Sequence, residues 1–176
     1  MNDADSNGGP AAAPELASVD FLSHSSLHTE RLGERLAAHA VPGEVIALFG
    51  ELGAGKTVLA RGIGIGLGID EDTVTSPTFV ILHEHFGGRL PLFHLDLYRL
   101  RQADLGSTGW EECLEAGGIT VIEWPERAGE ELPVDRLDVR IEHIAESKRR
   151  ITLGATGPRS ARLLDALRDD AFAERA

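Results

Sequence analysis

The chain has 176 residues, 42% apolar and 26% charged, which suits one soluble globular domain with a core of its own and is short for two. Its 17 basic and 29 acidic residues give a formal charge of −12. That disfavours tight, unaided binding of RNA or DNA, where phosphate neutralisation supplies most of the affinity. No apolar stretch reaches the ~18–20 residues of a membrane span.

Residues 1–18 are rich in Ala, Pro, Gly, Asn and Asp and read as a disordered tail with neither the basic nor the apolar region of a signal peptide. Cys113 is the only cysteine, so no intrachain disulfide is expected and the cytoplasm is the expected compartment. A short first strand is expected over 19–22. Ser26 is then a candidate N-cap for an amphipathic helix to about residue 40, with Leu32, Leu36, Ala37 and Ala40 on its apolar side. Pro42-Gly43 ends it.

Residues 44–49 form a continuous apolar run, as in a strand buried on both faces. A glycine-rich loop follows at once, and helical sequence runs from 56 to about 67. Gly62, Gly64 and Gly66 each weaken that helix by about 1 kcal/mol relative to Ala, which points to close packing on neighbouring backbone. Residues 73–78 are a polar link. Residues 79–86 and 90–97 read as two strands joined at Gly87-Gly88. Thr108 and Glu111 have the spacing of a capping box for a short helix ending at Gly117. An apolar strand over 119–122 runs into Glu123-Trp124-Pro125-Glu126. Residues 136–144 and 149–154 suggest a closing hairpin, and 160–174 a final helix on Leu163, Leu164 and Leu167.

The loop Gly50-Glu51-Leu52-Gly53-Ala54-Gly55-Lys56-Thr57 is a full P-loop match, with a buried strand before it and a helix after it. Glycines allow positive φ and close approach, so successive backbone N–H groups can surround phosphates at a helix N-terminus. Lys56 is then expected to reach the β- and γ-phosphates of ATP, and the Thr57 hydroxyl to ligate Mg2+. All but Lys56 and Lys148 of the basic residues are Arg, so a retained Lys inside this loop suggests work for a compact ammonium. The glycines from 62 to 68 do not satisfy G-x-G-x-x-G, and they follow a helix start rather than a strand, which argues against a dinucleotide fold.

P-loop chemistry also needs carboxylates at neighbouring strand ends, and Asp96 and Glu123 are the candidates. Either alone reads equally well as a solvated strand-end carboxylate; beside a P-loop the functional reading is favoured. Trp124 fits the core or the wall of a nucleotide site. His83, His85 and His94 could be drawn as a metal cluster, but alternation along half-exposed strands explains them better. Cys113 has no motif around it and reads as filler.

Taken together, Gly50–Thr57, Ser76-Pro77-Thr78-Phe79, Asp96-Leu97-Tyr98-Arg99-Leu100 and Ile122-Glu123-Trp124-Pro125-Glu126 resemble, in order and spacing, the bacterial TsaE (YjeE) family over about residues 19–155. The resemblance implies an α/β fold, a P-loop NTPase three-layer sandwich with a mixed central β-sheet. It places the ATPase domain at 19–156, with 157–176 a helical extension outside it. It implies an ATPase subunit in formation of threonylcarbamoyladenosine on tRNA, acting with TsaD and TsaB homologues and meeting tRNA only through them. It gives Thr57 and Glu123 as Mg2+ residues, Asp96 and Lys56 as the catalytic pair, and 76–79 with Thr78 as a switch segment near the γ-phosphate. Ser26, Trp124 and Arg149 are its further nucleotide residues. The sequence departs from the family's usual acidic stretch at Arg101-Gln102-Ala103-Asp104-Leu105, which bears on partner contact. A small-molecule kinase and a nucleotide-binding regulator without turnover are the alternatives; no compact Arg-rich lid favours the kinase.

Overall fold

Alternation along the strands decides which residues meet. In the computed structural model, which describes residues 17–74, 81–100 and 102–173, strand β2 (Val45–Phe49) sends Ile46 and Leu48 into one core and Val45 into a second. In β5 (Ile119–Glu123), Ile119 and Val121 enter the first core and Ile122 the second; in β4 (Leu92–Asp96), Leu92 enters the first and Leu95 the second. Successive side chains on a strand take opposite faces, so the two cores lie on opposite sides of one sheet. By the same parity Glu123, His94 and Asp96 share the first face.

Among the described residues the sheet has seven strands in the order β1-β7-β6-β2-β5-β4-β3. The central strands β6 (Leu137–His143), β2, β5 and β4 are mutually parallel. The edges β3 (Leu82–His85), β7 (Arg149–Ala155) and β1 (Ser18–Ser23) are added antiparallel. Parallel strands must be crossed over by helices and buried on both faces, hence the unbroken apolar runs at β2 and β5. Helices α1 (Ser26–His39), α2 (Lys56–Gly66) and α4 (Pro158–Ala173) line the first core; α3 (Trp110–Glu115) and short 3₁₀ turns cover the second. The result is the α/β P-loop sandwich with a mixed sheet. No helix among the described residues is long and apolar enough to cross a membrane.

Close approach of backbone explains Gly62 and Gly66 of α2, whereas Gly64 faces the side chains of Val74 and Leu92. A Cβ on Gly62 would collide with the Glu30 carbonyl of α1, and one on Gly33 with the Leu59 carbonyl of α2. The two backbones touch where side chains would hold them apart, so the loss of helix propensity is repaid in contact. Glu30 and Arg61 pair across the same seam, at 2.6 Å. α4 joins the core through Leu163, Leu164 and Leu167, and its Arg162 pairs with the buried carboxylate of Glu44 at the foot of β2. Burial, opposed by Arg162 and Arg159, leaves that carboxyl raised to about 6.

Three local expectations are corrected. The N-cap of α1 is Ser25, whose hydroxyl accepts the His28 N–H at 3.2 Å, and Ser26 lies in the first turn. Thr108 makes no capping box: its hydroxyl donates to Leu105 at 2.7 Å, and Gly109, at φ 74°, caps α3 because a left-handed residue is needed there. The β3–β4 connection is longer than a turn at Gly87-Gly88, because Arg89 is committed elsewhere. Its N–H bonds Leu67 at 2.6 Å, and its guanidinium takes the Ala37 and Ala40 carbonyls at 2.6 and 3.0 Å, closing the end of α1. The N-terminal tail through residue 16, the segment 75–80 with Thr78, Arg101 and residue 174 onward lie outside the described residues.

Candidate phosphate and metal site

The loop between β2 and α2 takes its shape from backbone that only glycine adopts easily. Gly50, Gly53 and Gly55 stand at φ 151°, 77° and 113°. A Cβ on Gly50 would lie 2.6 Å from the Ile141 carbonyl, so the loop is pressed against β6 at its start. Gly55 caps α2 without a side-chain hydrogen bond. The first-turn N–H groups of α2 therefore receive nothing from a capping side chain, and with the helix dipole they offer the chemistry that suits an anion.

Lys56 is buried and folds back over this loop. Its Nζ donates to the carbonyls of Gly50 and Glu51 at 2.6 and 2.8 Å and lies 3.8 Å from the centroid of the Trp124 ring. Burial lowers its pKa; Glu123, Glu126 and Asp96 pull the other way. Trp124 can stand there because the chain turns sharply at the end of β5: it has φ 57°, the one non-glycine at positive φ among the described residues. A left-handed tryptophan costs about 1 kcal/mol or more and persists only where its surroundings hold it. Tyr98 supports the ring from the end of β4, at 4.9 Å between centroids.

One residue on, the Thr57 hydroxyl donates to Glu123, at 2.9 Å to Oε1 and 3.2 Å to Oε2. Glu123 is only 3% exposed, and His94 Nε2 lies 2.8 Å from its Oε1. Asp96 is the register partner of Glu123 across the parallel β4–β5 pair. Its Oδ1 accepts the Tyr98 N–H at 2.9 Å. Burial pushes the Asp96 carboxyl up, and the charge of Glu123 adds to the rise; the Tyr98 bond, His94 and Lys56 oppose it. A hydroxyl with two strand-end carboxylates is a set of hard oxygen donors, the chemistry that magnesium takes when phosphates and water complete its shell.

The far side of the loop meets α1 and the ends of β6 and β7. The Thr29 methyl of α1 lies 3.9 Å from where a Gly55 Cβ would be, and its hydroxyl shares a 2.8 Å hydrogen bond with Ser23. His143, at the end of β6, stands 3.1 Å from the Gly53 carbonyl, and Arg149 Nε donates to the Ala54 carbonyl at 3.2 Å. An open cleft of about 660 Å³ adjoins the loop, lined in part by Phe49, Glu51, Trp124, Glu126 and Arg140.

The structure thus brings together Gly50 to Thr57, Asp96, Glu123, Trp124 and Arg149. Thr78 lies outside the described residues, and on α1 the Thr29 methyl, three residues on from Ser26, stands near the loop at Gly55. Among the described residues no three His, Cys, Asp or Glu side chains are placed to hold a metal ion between them. Thr29 and His143 escaped the sequence reading because neither sits in a motif. The one available signal was position, a turn into α1 and at a strand end.

The sequence matches the family model described as threonylcarbamoyl adenosine biosynthesis protein TsaE over residues 23–151. A Bacillus subtilis protein named tRNA threonylcarbamoyladenosine biosynthesis protein TsaE is 39% identical over 139 residues, 79% of this chain and 87% of the relative. A Streptomyces coelicolor protein of the same name is 42% identical over 143 residues, 74% of this chain and 92% of the relative. The crystal structure of Bacillus subtilis YdiB superposes with a TM-score of 0.76 at 33% identity, covering 89% of this chain and 97% of that one.

Proposed function

The chain belongs to the TsaE family of threonylcarbamoyladenosine biosynthesis proteins, and on that footing we propose that it is the magnesium-dependent ATPase of this tRNA modification. The observation that carries the reading is the Thr57–Glu123 hydrogen bond, at 2.9 Å, in the first turn behind the P-loop. It couples the helix that receives phosphates to the strand end that offers a carboxylate. The backbone N–H groups of residues 50–55 and the first turn of α2 bind the phosphates. Lys56 exchanges its two loop carbonyls for phosphate oxygens. Thr57 and Glu123 hold Mg2+. An ion held there would supply positive charge to neutralise the phosphate oxygens.

Asp96 acts on the attacking water from the neighbouring strand end, orienting it and drawing on its proton. Burial raises its pKa above the ordinary aspartate value, which makes the carboxylate a stronger base toward that proton. Trp124 walls the site and keeps water from the Lys56 side. Arg149 and the start of α1 close the loop from outside, and Thr78 is carried over from the family resemblance as a nucleotide-binding residue.

The partners are TsaD and TsaB homologues in the cytoplasm, with tRNA met through them. The charge of −12 supports that division of labour, because the chain has few counterions to release from nucleic acid. Reconstitution of threonylcarbamoyladenosine formation with TsaB and TsaD tests the reading. Product formation that needs both this chain and ATP is expected; equal product without the chain, or tight salt-sensitive binding of tRNA by the chain alone, overturns it.

A further inference from the structure

We infer that His94 is a positioning residue: with its proton on Nε2 it holds the Glu123 carboxylate in the orientation from which Glu123 serves the magnesium site. The inference rests on the reading of that site given above. Glutamate has three side-chain torsions, and a ligand that must find its rotamer on each binding event gives away affinity. Here Glu123 Oε1 is gripped from two sides, by Thr57 Oγ1 at 2.9 Å and His94 Nε2 at 2.8 Å. Thr57 belongs to the site and changes partners when an ion binds. His94 does not: it is fully buried on β4, in register between Val121 of β5 and His83 of β3. It is the fixed member of the three.

The other ring nitrogen assigns the proton. His94 Nδ1 is buried with no hydrogen-bond partner among the described residues. A proton there would be an orphaned donor, whereas a proton on Nε2 gives the carboxylate a donor and leaves only a lone pair on Nδ1.

Two measurements test this. In nitrogen-15 spectra of the whole protein without nucleotide, the ring that disappears on His94→Gln substitution is expected to show the Nε2–H tautomer. The Nδ1–H tautomer overturns the inference without reference to any bound ion. In calorimetry of the ADP-loaded protein, His94→Asn, whose amide stops short of the Nε2 position, is expected to weaken Mg2+ binding by about 10- to 100-fold. His94→Gln, whose amide reaches that position, is expected to stay within about threefold of wild type, and both should bind ADP without Mg2+ as wild type does. Equal Mg2+ affinity in all three proteins overturns the positioning role while leaving the site intact. Wild type that takes up no Mg2+ with ADP overturns the reading of the site itself. Thermal melts separate loss of fold from loss of the ion, and should His94→Asn unfold, the wild-type spectrum decides.

Discussion

The Lys56 ammonium rests 3.8 Å from the centre of the Trp124 ring while both of its hydrogen bonds go to carbonyls of its own loop. Under the proposed function phosphate draws it away from that arrangement, and the indole beside it is expected to report the change. With two tryptophans in the chain, Trp110→Phe leaves Trp124 as the only indole, and its emission is expected to change on ATP addition. Lys56→Ala should abolish that response and weaken ATP by tenfold or more in calorimetry. Equal ATP affinity in mutant and wild type would remove Lys56 from the site.

Thr57 and Glu123 make a pair that only a magnesium-dependent measurement separates from phosphate binding. Glu123→Ala is expected to weaken ADP by at least tenfold in the presence of Mg2+ and by less than about threefold in its absence. Thr57→Ser, which keeps the hydroxyl, should fall much closer to wild type than Thr57→Ala. A loss of equal size with and without Mg2+ would make Glu123 a structural residue.

Asp96 differs from its neighbour in what it is expected to govern. Asp96→Asn keeps the shape and the bond from the Tyr98 N–H while removing the charge, so turnover should drop by tenfold or more with ADP affinity unchanged. Because burial raises the Asp96 pKa, the acid limb of wild-type turnover should lie above the ordinary aspartate range, falling as pH drops through it. The variant should lack that limb. An identical pH profile in both proteins would show that Asp96 does not titrate in the reaction.

The helix seam offers a stability test. Gly62→Ala puts a methyl against the Glu30 carbonyl, so α1 and α2 must part; a loss of about 3 kcal/mol is expected in urea unfolding. Gly154→Ala, where a Cβ meets nothing within 4 Å, should change stability by under about 1 kcal/mol. Similar values for the two would mean that the seam yields.

A fifth outcome concerns pH. Glu44 has its carboxyl raised by burial from 4.5 to about 6. The native state keeps that proton longer than the unfolded chain does, so this group's contribution falls as pH rises from 4.5 to 6, by about 2 kcal/mol in all. It is level above that window. Glu44→Gln should lack this share of the slope, read as the wild-type minus variant difference in unfolding free energy at each pH. A difference that does not change across the window would mean that Arg162 compensates the burial fully.

Much of this was legible because local rules agreed. Gly50 to Thr57 lies between a strand apolar at every position and a helix, so the phosphate loop could be read from chemistry alone. Asp96 and Glu123 were found as strand-end carboxylates, and the parallel register that makes them neighbours followed from the fold class. The glycines at 62 and 66 announced a close approach without naming the surface approached. What stayed hidden depended on long-range pairing. Nothing around His94 distinguishes a carboxylate partner from strand alternation, because that partner is on another strand. The left-handed Trp124 was equally hidden, since its conformation is imposed by neighbours from elsewhere in the chain. Ser25 and Ser26 are adjacent serines, and only backbone geometry picks the one that caps.

The Arg149 hydrogen bond to Ala54 spans 95 positions of sequence. A trans peptide unit is planar, with its C=O and N–H pointing opposite ways. Anchoring the Ala54 carbonyl toward the closing hairpin therefore aims the Gly55 N–H in the reverse direction, away from the hairpin. The arginine works as a splint, fixing the direction of a backbone dipole that a flexible glycine would otherwise let swing. An anion in the loop then feels Arg149 through the attitude of one amide, and replacing that arginine with lysine would keep the charge while losing the alignment.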